Sequence, residues 1–285
     1  SRSSGLLNIP VRSKIFFQPV GVVGIISPWN YPIDLTLSPL VYAVATGNRV
    51  MIKPSEHTPK TSKLLQTLVS KYFDIEHVAV CCGDINVGIE FSKLPFDHLM
   101  FTGSTSTGKL VMAEAARNLT PVTLELGGKS PTIIGEEADI PSAARRICFG
   151  KSINSGQTCI APDHIYIPKN KVDEFVKEYK KSFKKMYPNG EKDQGYTCII
   201  NDFHINRIQN LITDAKEKGA KIEEVVNWTS KKKKAPHFVF ETTEEMEVSK
   251  TEIFGPLLPI ITYSDISEPI NFINSNDKPL ALYYF

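Results

Sequence analysis

Over the first 127 residues, apolar positions fall in short unbroken runs, separated by longer stretches whose apolar residues recur at helical spacing. The runs are "GVVGII" (21–26), "RVMIK" (49–53), "HVAVCCG" (77–83), "DHLMFTG" (97–103) and "PVTLELGG" (121–128). A continuous run of about four to six apolar residues suits a strand covered on both faces, and the intervening stretches are long enough for crossover helices. Strand and helix alternating in this way predict an open parallel sheet with helices on both sides.

After Gly128 the pattern loosens. "DIPSAARRICFGKSINS" (139–155) and "NKVDEFVKEYKKSFKKMY" (170–187) read as amphipathic helices, with "DHIYIP" and "HFVFE" as strands between longer, more polar connections. The whole predicts an α/β protein of two domains, residues 1–127 and 128–285, and a chain of 285 residues is long enough to give each its own core. No repeat of fixed period is present. Both ends read as abrupt: the chain opens on Ser1 rather than Met and stops at "ALYYF", an apolar, strand-like run without a following turn. The expectation is a fragment of a longer protein, lacking part of each domain.

Charge narrows the partners. Lys and Arg number 33 against 31 Asp and Glu, a net charge of +2, which argues against a nucleic-acid or anionic-membrane binder and for a small-molecule ligand. The basic run 231–234 and the lysines of 177–185 read as a solvated loop and helix face. No apolar stretch approaches the roughly 20 residues of a membrane span, and no secretion signal opens the chain, so a soluble cytoplasmic protein is expected. Five cysteines, two of them adjacent, make no disulfide framework, and no CxxC or Cys/His spacing suggests a metal. Cys81 and Cys82 read as core residues of a strand and Cys148 as a core residue of a helix, while Cys198 has a mixed context.

Five stretches could carry chemistry. "MFTGSTSTGKLVMAEAA" is a strand, a loop with Gly103 and Gly108, then a helix, and such a helix N-terminus can face a phosphate. It is not GxGxxG, since Thr105 stands at the second glycine position, and an ordinary turn is the alternative. "VMIKPSEHTP" ends a strand with Lys53 and places Glu56 in the next loop, where both could reach a ribose; alternatively Ser55 or Thr58 caps the next helix and Glu56 favours its dipole. In "ISPWNYP" two prolines fix the turn around Asn30, whose amide could donate to an oxyanion, although Trp29 and Tyr31 fit packing as well. "LELGGKSP" sets Glu125 at a strand end before paired glycines, as a general base or an interdomain ion pair. "NSGQTCIAPDHI" places Cys159 in a glycine-containing polar loop, where a thiol is more readily ionised than in an apolar core.

"PWNYP", "KPSE", "FTGSTSTG", "LELGGK", "GQTC" and "EIFGP" follow one another in the order found in the NAD(P)-dependent aldehyde dehydrogenase superfamily, which the sequence resembles over essentially its whole length. "GQTCIAPDHI" and "KPLALYYF" are most similar to the branch of class 3 and coniferyl aldehyde dehydrogenases. The resemblance implies a Rossmann-like cofactor domain followed by a catalytic domain. It implies Cys159 as nucleophile, Glu125 (34 positions earlier, 159 − 125) as general base and Asn30 as oxyanion donor with the Cys159 N–H. Lys53 and Glu56 would hold the adenosine ribose, the segment with Gly103, Ser104 and Gly108 would lie near the pyrophosphate, Trp29 would also bind the cofactor, and Glu252 and Phe254 would position the nicotinamide ribose and ring.

The activity so implied is oxidation of an aromatic or medium-chain aldehyde, coniferyl aldehyde among them, to its acid. NAD is the first expectation and NADP the second, because Glu56 would repel a 2′-phosphate while class 3 relatives accept either cofactor. A homodimer is implied for the full-length protein. Two readings compete: a coenzyme-A-acylating dehydrogenase, which Glu125 disfavours, and a non-catalytic protein on the same scaffold, which would be expected to have lost Cys159 or Glu125.

Overall fold

The computed structural model describes residues 14–230 and 232–285. Ser1 and Lys231, named above, lie outside them. The chain divides into two compact units, one ending at Glu125 and the other running Leu126–Phe285.

The first unit alternates strand and helix: β1 (Val22–Ile26), α1 (Asp34–Ala45), β2 (Arg49–Lys53), α2 (Pro59–Tyr72), β3 (Val78–Val80), α3 (Ile85–Ser92), β4 (His98–Gly103), α4 (Thr105–Ala116) and β5 (Val122–Leu126). The strand order is β3-β2-β1-β4-β5, and β1 runs parallel to β2 and β4, as does β2 to β3. Val23, Ile25, Val50, Ile52, Val69 and Val78 pack as one core, each side chain of this kind contributing roughly 1.5–3 kcal/mol on burial. At Gly24 a Cβ would lie 2.7 Å from the Phe96 ring, so only glycine lets that ring close over the sheet. Ile26 stands opposite both Lys53 and Phe101, so β1 and β2 end level while β4 runs two residues further, and the strand order reverses between β1 and β4. Such a reversal is where open parallel sheets hold their ligands, beyond the carboxyl ends of the strands.

β3 is shorter than its apolar run. It stops at Val80 because Gly83 and Asp84 turn the chain into α3, the Asp84 carboxylate accepting from the N–H groups of Asn86 and Val87 at 3.0 and 3.3 Å. Cys81 and Cys82 therefore lie beyond the strand, Cys81 half-buried and Cys82 exposed, and the reading of this pair as core residues is corrected.

The second unit contains β6 (Pro131–Ile133), α5 (Ile140–Ser152), β7 (His164–Pro168), α6 (Val172–Met186), α7 (Asp202–Glu217), β8 (Lys221–Glu224), β9 (His237–Phe240), α8 (Glu247–Lys250), β10 (Leu257–Tyr263), α9 (Ser267–Ser275) and β11 (Tyr283–Tyr284). Its sheet has the order β11-β6-β7-β10-β9-β8, parallel except for the antiparallel β8–β9 pair. α5 and α6 cover one face through Ile147, Cys148, Phe175, Tyr179 and Phe183, which pack with Ile165, Phe238 and Leu258 of the strands. Cys148 is fully buried there, and burial pushes its thiol up to about 12. α7 encloses a second core of Ile208, Leu211, Ile212 and Ala215 against Val239, Ile253 and Leu257. α5 ends at Ser152 rather than continuing to 155, because Asn154, Ser155 and Gly156 take positive φ angles of 50°, 55° and 74°.

Candidate active site

In the first unit, the carboxyl edge of the sheet gathers one set of chemistry-bearing residues. The turn after β1 carries Trp29 and Asn30, both half-buried. It is closed by Thr36, whose hydroxyl lies 2.6 Å from both Ser27 Oγ and the Pro32 carbonyl, and by the Ser27 N–H donating to Lys53 O at 3.1 Å. Beyond β2 the Lys53 side chain is 3 % exposed and donates to Pro54 O and Glu56 Oε2, each at 3.0 Å. Burial opposes ionisation of Glu56, but hydrogen bonds from its own backbone and from Lys53, together with the Lys53 charge, hold its carboxyl below the ordinary range. Neither Ser55 nor Thr58 caps α2 through its side chain, Ser55 Oγ instead accepting from His57 N at 3.2 Å. Glu56 thus belongs to an ion pair beside the sheet edge.

After β4, Ser104 caps α4, its Oγ accepting from Thr107 N at 3.3 Å. Residues 104–107 are exposed and Gly108 is buried, so the helix presents its first N–H groups to solvent over a glycine packed beneath. Its start is an anion-competent terminus one strand away from the Asn30 turn. Glu125, near the end of β5, is exposed rather than buried.

In the second unit two loops converge. Asn154, Ser155 and Gly156 form a left-handed turn after α5, and a Cβ on Gly156 would lie 2.5 Å from the Gly255 carbonyl oxygen. Only glycine fits that approach and that φ. Ser155 Oγ donates to Thr197 O, and the Gln157 amide donates to Cys198 O at 3.1 Å and accepts from Ile200 N at 3.0 Å. The strained turn is therefore clamped on both sides, and it delivers the half-buried Cys159 just past its end. Tyr283 of β11 donates to Ile160 O at 2.6 Å, one residue beyond the thiol.

The second loop, residues 252–255, joins α8 to β10. The Glu252 carboxylate lies against Gly127 and accepts from the Gly128 N–H. Burial, with the Asp163 carboxylate adding to it, raises the Glu252 carboxyl to about 7 against the opposing effects of the Gly128 N–H, Arg207 and Lys129. Phe254 has φ 43°, a left-handed conformation costly for a phenylalanine. Beneath this loop Lys129 donates to Asp163 Oδ1 at 2.5 Å, to Val248 O at 2.9 Å and to Thr251 O at 3.0 Å, while Asp163 Oδ2 accepts from Ile253 N at 2.9 Å. Burial opposes ionisation of Asp163, yet the Lys129 ammonium and His164 hold its carboxyl well below the usual range.

Structure thus places Trp29, Asn30, Lys53, Glu56, Gly103, Ser104 and Gly108 along one sheet edge of the first unit. In the second it brings the Cys159 loop against the loop of Glu252 and Phe254. The Lys129–Asp163 pair, Arg207, Tyr283 and the fully buried Lys151, whose ammonium burial brings down to about 8, escaped sequence reading. Only the position of Lys151, on α5 eight residues before the thiol (159 − 151), was available as a signal. Among the described residues no cluster of His, Cys, Asp and Glu could hold a metal, and no helix is long and apolar enough to cross a membrane.

Residues 8–285 match the aldehyde dehydrogenase family. The chain is 47% identical over 284 residues to the "Probable coniferyl aldehyde dehydrogenase" of Pseudomonas aeruginosa, covering 100% of this chain and 60% of that protein. It is 44% identical over 273 residues to the mouse "Aldehyde dehydrogenase, dimeric NADP-preferring", covering 95% of this chain and 59% of that one. Among solved structures, the substrate-bound state of Staphylococcus aureus AldH superposes with a TM-score of 0.94 at 38% identity, over 100% of this chain and 62% of that one. The chain therefore spans about 60% of the length of the curated relatives it matches. With the fold, the loop that presents Cys159 and these likenesses together, the chain belongs to the aldehyde dehydrogenase family.

Proposed function

We propose that the whole protein containing this chain oxidises an aldehyde to its carboxylic acid, with a nicotinamide cofactor as hydride acceptor and Cys159 as covalent nucleophile. The observation that supports this reading is the strained turn of residues 154–156, just before Cys159, whose Gly156 packs against the Gly255 carbonyl of the loop carrying Glu252 and Phe254. The substrate is an aromatic or medium-chain aldehyde, and the name of the Pseudomonas relative favours coniferyl aldehyde.

The residues present suit such a cofactor. Lys53 and Glu56 would hold the adenosine ribose, Trp29 and the segment with Gly103, Ser104 and Gly108 would border the pyrophosphate, and Glu252 and Phe254 would take the nicotinamide ribose and ring. A buried ammonium paired with a carboxylate at the end of β2, and an exposed helix N-terminus beyond β4 on the same sheet, are the donor and acceptor set that ribose hydroxyls and phosphates require. When bound, the nicotinamide supplies the hydride acceptor. Glu56 favours NAD by repelling a 2′-phosphate, while its ion pair with Lys53 lessens that repulsion and keeps NADP within reach, in keeping with the name of the mouse relative.

The protein's own part follows from its groups. The Cys159 thiolate attacks the carbonyl carbon, forming the C–S bond and pushing the carbonyl electron pair onto oxygen. The Asn30 amide and the Cys159 backbone N–H donate to that oxyanion. Loss of hydride leaves a thioester on Cys159. Glu125 then takes a proton from water, the resulting nucleophile attacks the thioester carbon, and the C–S bond breaks with its electron pair going to sulfur, which regenerates the Cys159 thiolate and frees the acid. The exposure of Glu125 suits this role, since water reaches its carboxylate. The reading extends to a homodimer and a cytoplasmic location.

Glu125→Gln tests the hydrolytic half. Acyl-enzyme formation persists, so NADH appears in a first-turnover burst, and the steady rate falls about a hundredfold or more, the range of one general base. A steady rate equal to wild type would remove Glu125 from the mechanism.

A further inference from the structure

Resting on the function proposed above, we infer that Arg207 is a positioning residue for the cofactor end of the site: its guanidinium gathers three consecutive backbone carbonyls and so fixes the loop that carries Glu252 and Phe254. Arg207 lies in the first half of α7, 45 positions before Glu252 (252 − 207), and no motif marks it. Its Nη2 donates to Ile253 O at 2.6 Å and to Phe254 O at 3.1 Å, and its Nη1 to Glu252 O at 3.3 Å. Its Nε donates to His204 Nδ1 at 3.4 Å, one turn earlier on the same helix, which fixes the plane of the fork.

A strand alternates its carbonyls and a helix interior engages them with its own N–H groups, so three successive carbonyls shared by one guanidinium call for an irregular loop, in which Phe254 is left-handed. The loop holds that shape only while something binds those oxygens, because solvent would satisfy them equally well in an extended conformation. Arginine suits the task better than lysine, since a planar fork reaches several acceptors in fixed directions whereas an ammonium offers a single point. Burial works against the Arg207 charge, and the carboxylates of Glu252 and Asp163 favour it. Asp163 completes the grip from below through Ile253 N, so the loop's carbonyls and its amide are tied to opposite charges.

The neighbouring packing makes the arrangement rigid. Ile208, the next residue of α7, fills the space beside Gly255 that a side chain there would need, and the Gly255 carbonyl in turn bears on Gly156 of the thiol loop. α7, the loop of residues 252–255 and the thiol loop therefore stack in contact, with Arg207 as the polar tie between the first two.

The test uses Arg207→Met and Arg207→Lys in the whole protein, with four readings: the NAD dissociation constant by calorimetry, the rate of the NADH burst at saturating NAD, iodoacetamide alkylation of Cys159 without cofactor, and the melting temperature. Arg207→Met is expected to weaken NAD binding about tenfold and to slow the burst by a similar factor, while alkylation stays within about twofold of wild type. Arg207→Lys should recover less than half of the loss. NAD binding and burst rate both within about twofold of wild type in Arg207→Met would overturn the inference. So would parallel loss of alkylation, NAD binding and melting temperature, which would mark Arg207 as merely structural. A wild-type protein that binds no NAD would instead defeat the proposed function.

Discussion

Replacing Glu252 by Gln should stabilise the protein at alkaline pH and leave it nearly unchanged in acid. The carboxyl lies against Gly127, and burial lifts it from the ordinary 4.5 to about 7. A folded-state pKa above the unfolded one means that the folded chain holds a proton the unfolded chain has released, so this group's contribution is fully present below about pH 4.5 and is lost as pH rises through 7. The difference between 4.5 and about 7 corresponds to roughly 3 kcal/mol, which partial solvent access reduces to about 2 kcal/mol. Glutamine keeps the shape and the acceptor for the Gly128 N–H but never ionises. The gain in melting temperature of Glu252→Gln over wild type should therefore be about 5 °C greater at about pH 8.5 than at about pH 5, measured by calorimetry in one salt concentration. Equal gains at the two pH values would refute the raised pKa, and a greater gain in acid would reverse the sign of the reasoning.

Gly156→Ala should lower stability by about 2–4 kcal/mol, because its φ of 74° is costly for alanine and the added methyl meets the Gly255 carbonyl; a urea melt reads the loss and a retained midpoint would contradict it. The same variant should change the iodoacetamide reactivity of Cys159, since the turn that presents the thiol must shift, and unchanged kinetics would separate the turn from the thiol's placement.

Much of the fold was legible because its strands are short apolar runs between glycine, proline and capping residues. β1, β2 and β4 lie inside the runs that predicted them, as do α6 and β7 in the second unit. The failures have local causes. β3 is cut short by a capping aspartate at 84, which the continuous apolar reading of "HVAVCCG" overrode, and α5 stops early because Asn154 and Ser155 accept left-handed angles that composition alone does not force. β10 passed unread, its Pro259 breaking the apolar pattern of "LLPIITY" although the strand sits between β7 and β9.

The site divides the same way. Residues inside dense motifs, such as Cys159 and Asn30, could be singled out from their neighbours in the chain. The supports could not: Lys129 and Asp163 are 34 positions apart (163 − 129), and Arg207 reaches carbonyls about 45 positions away, pairings that one sequence does not reveal. Such partners are set by packing, and only coordinates bring them together.

The most direct measurement is the first-turnover trace of NADH absorbance when the whole protein and NAD are mixed with benzaldehyde or a cinnamaldehyde, run beside Cys159→Ala. A burst approaching one equivalent per site in the wild type and none in the variant is the predicted result. A burst of equal size in Cys159→Ala, or its absence from a wild-type protein that binds NAD, would contradict covalent aldehyde oxidation at Cys159.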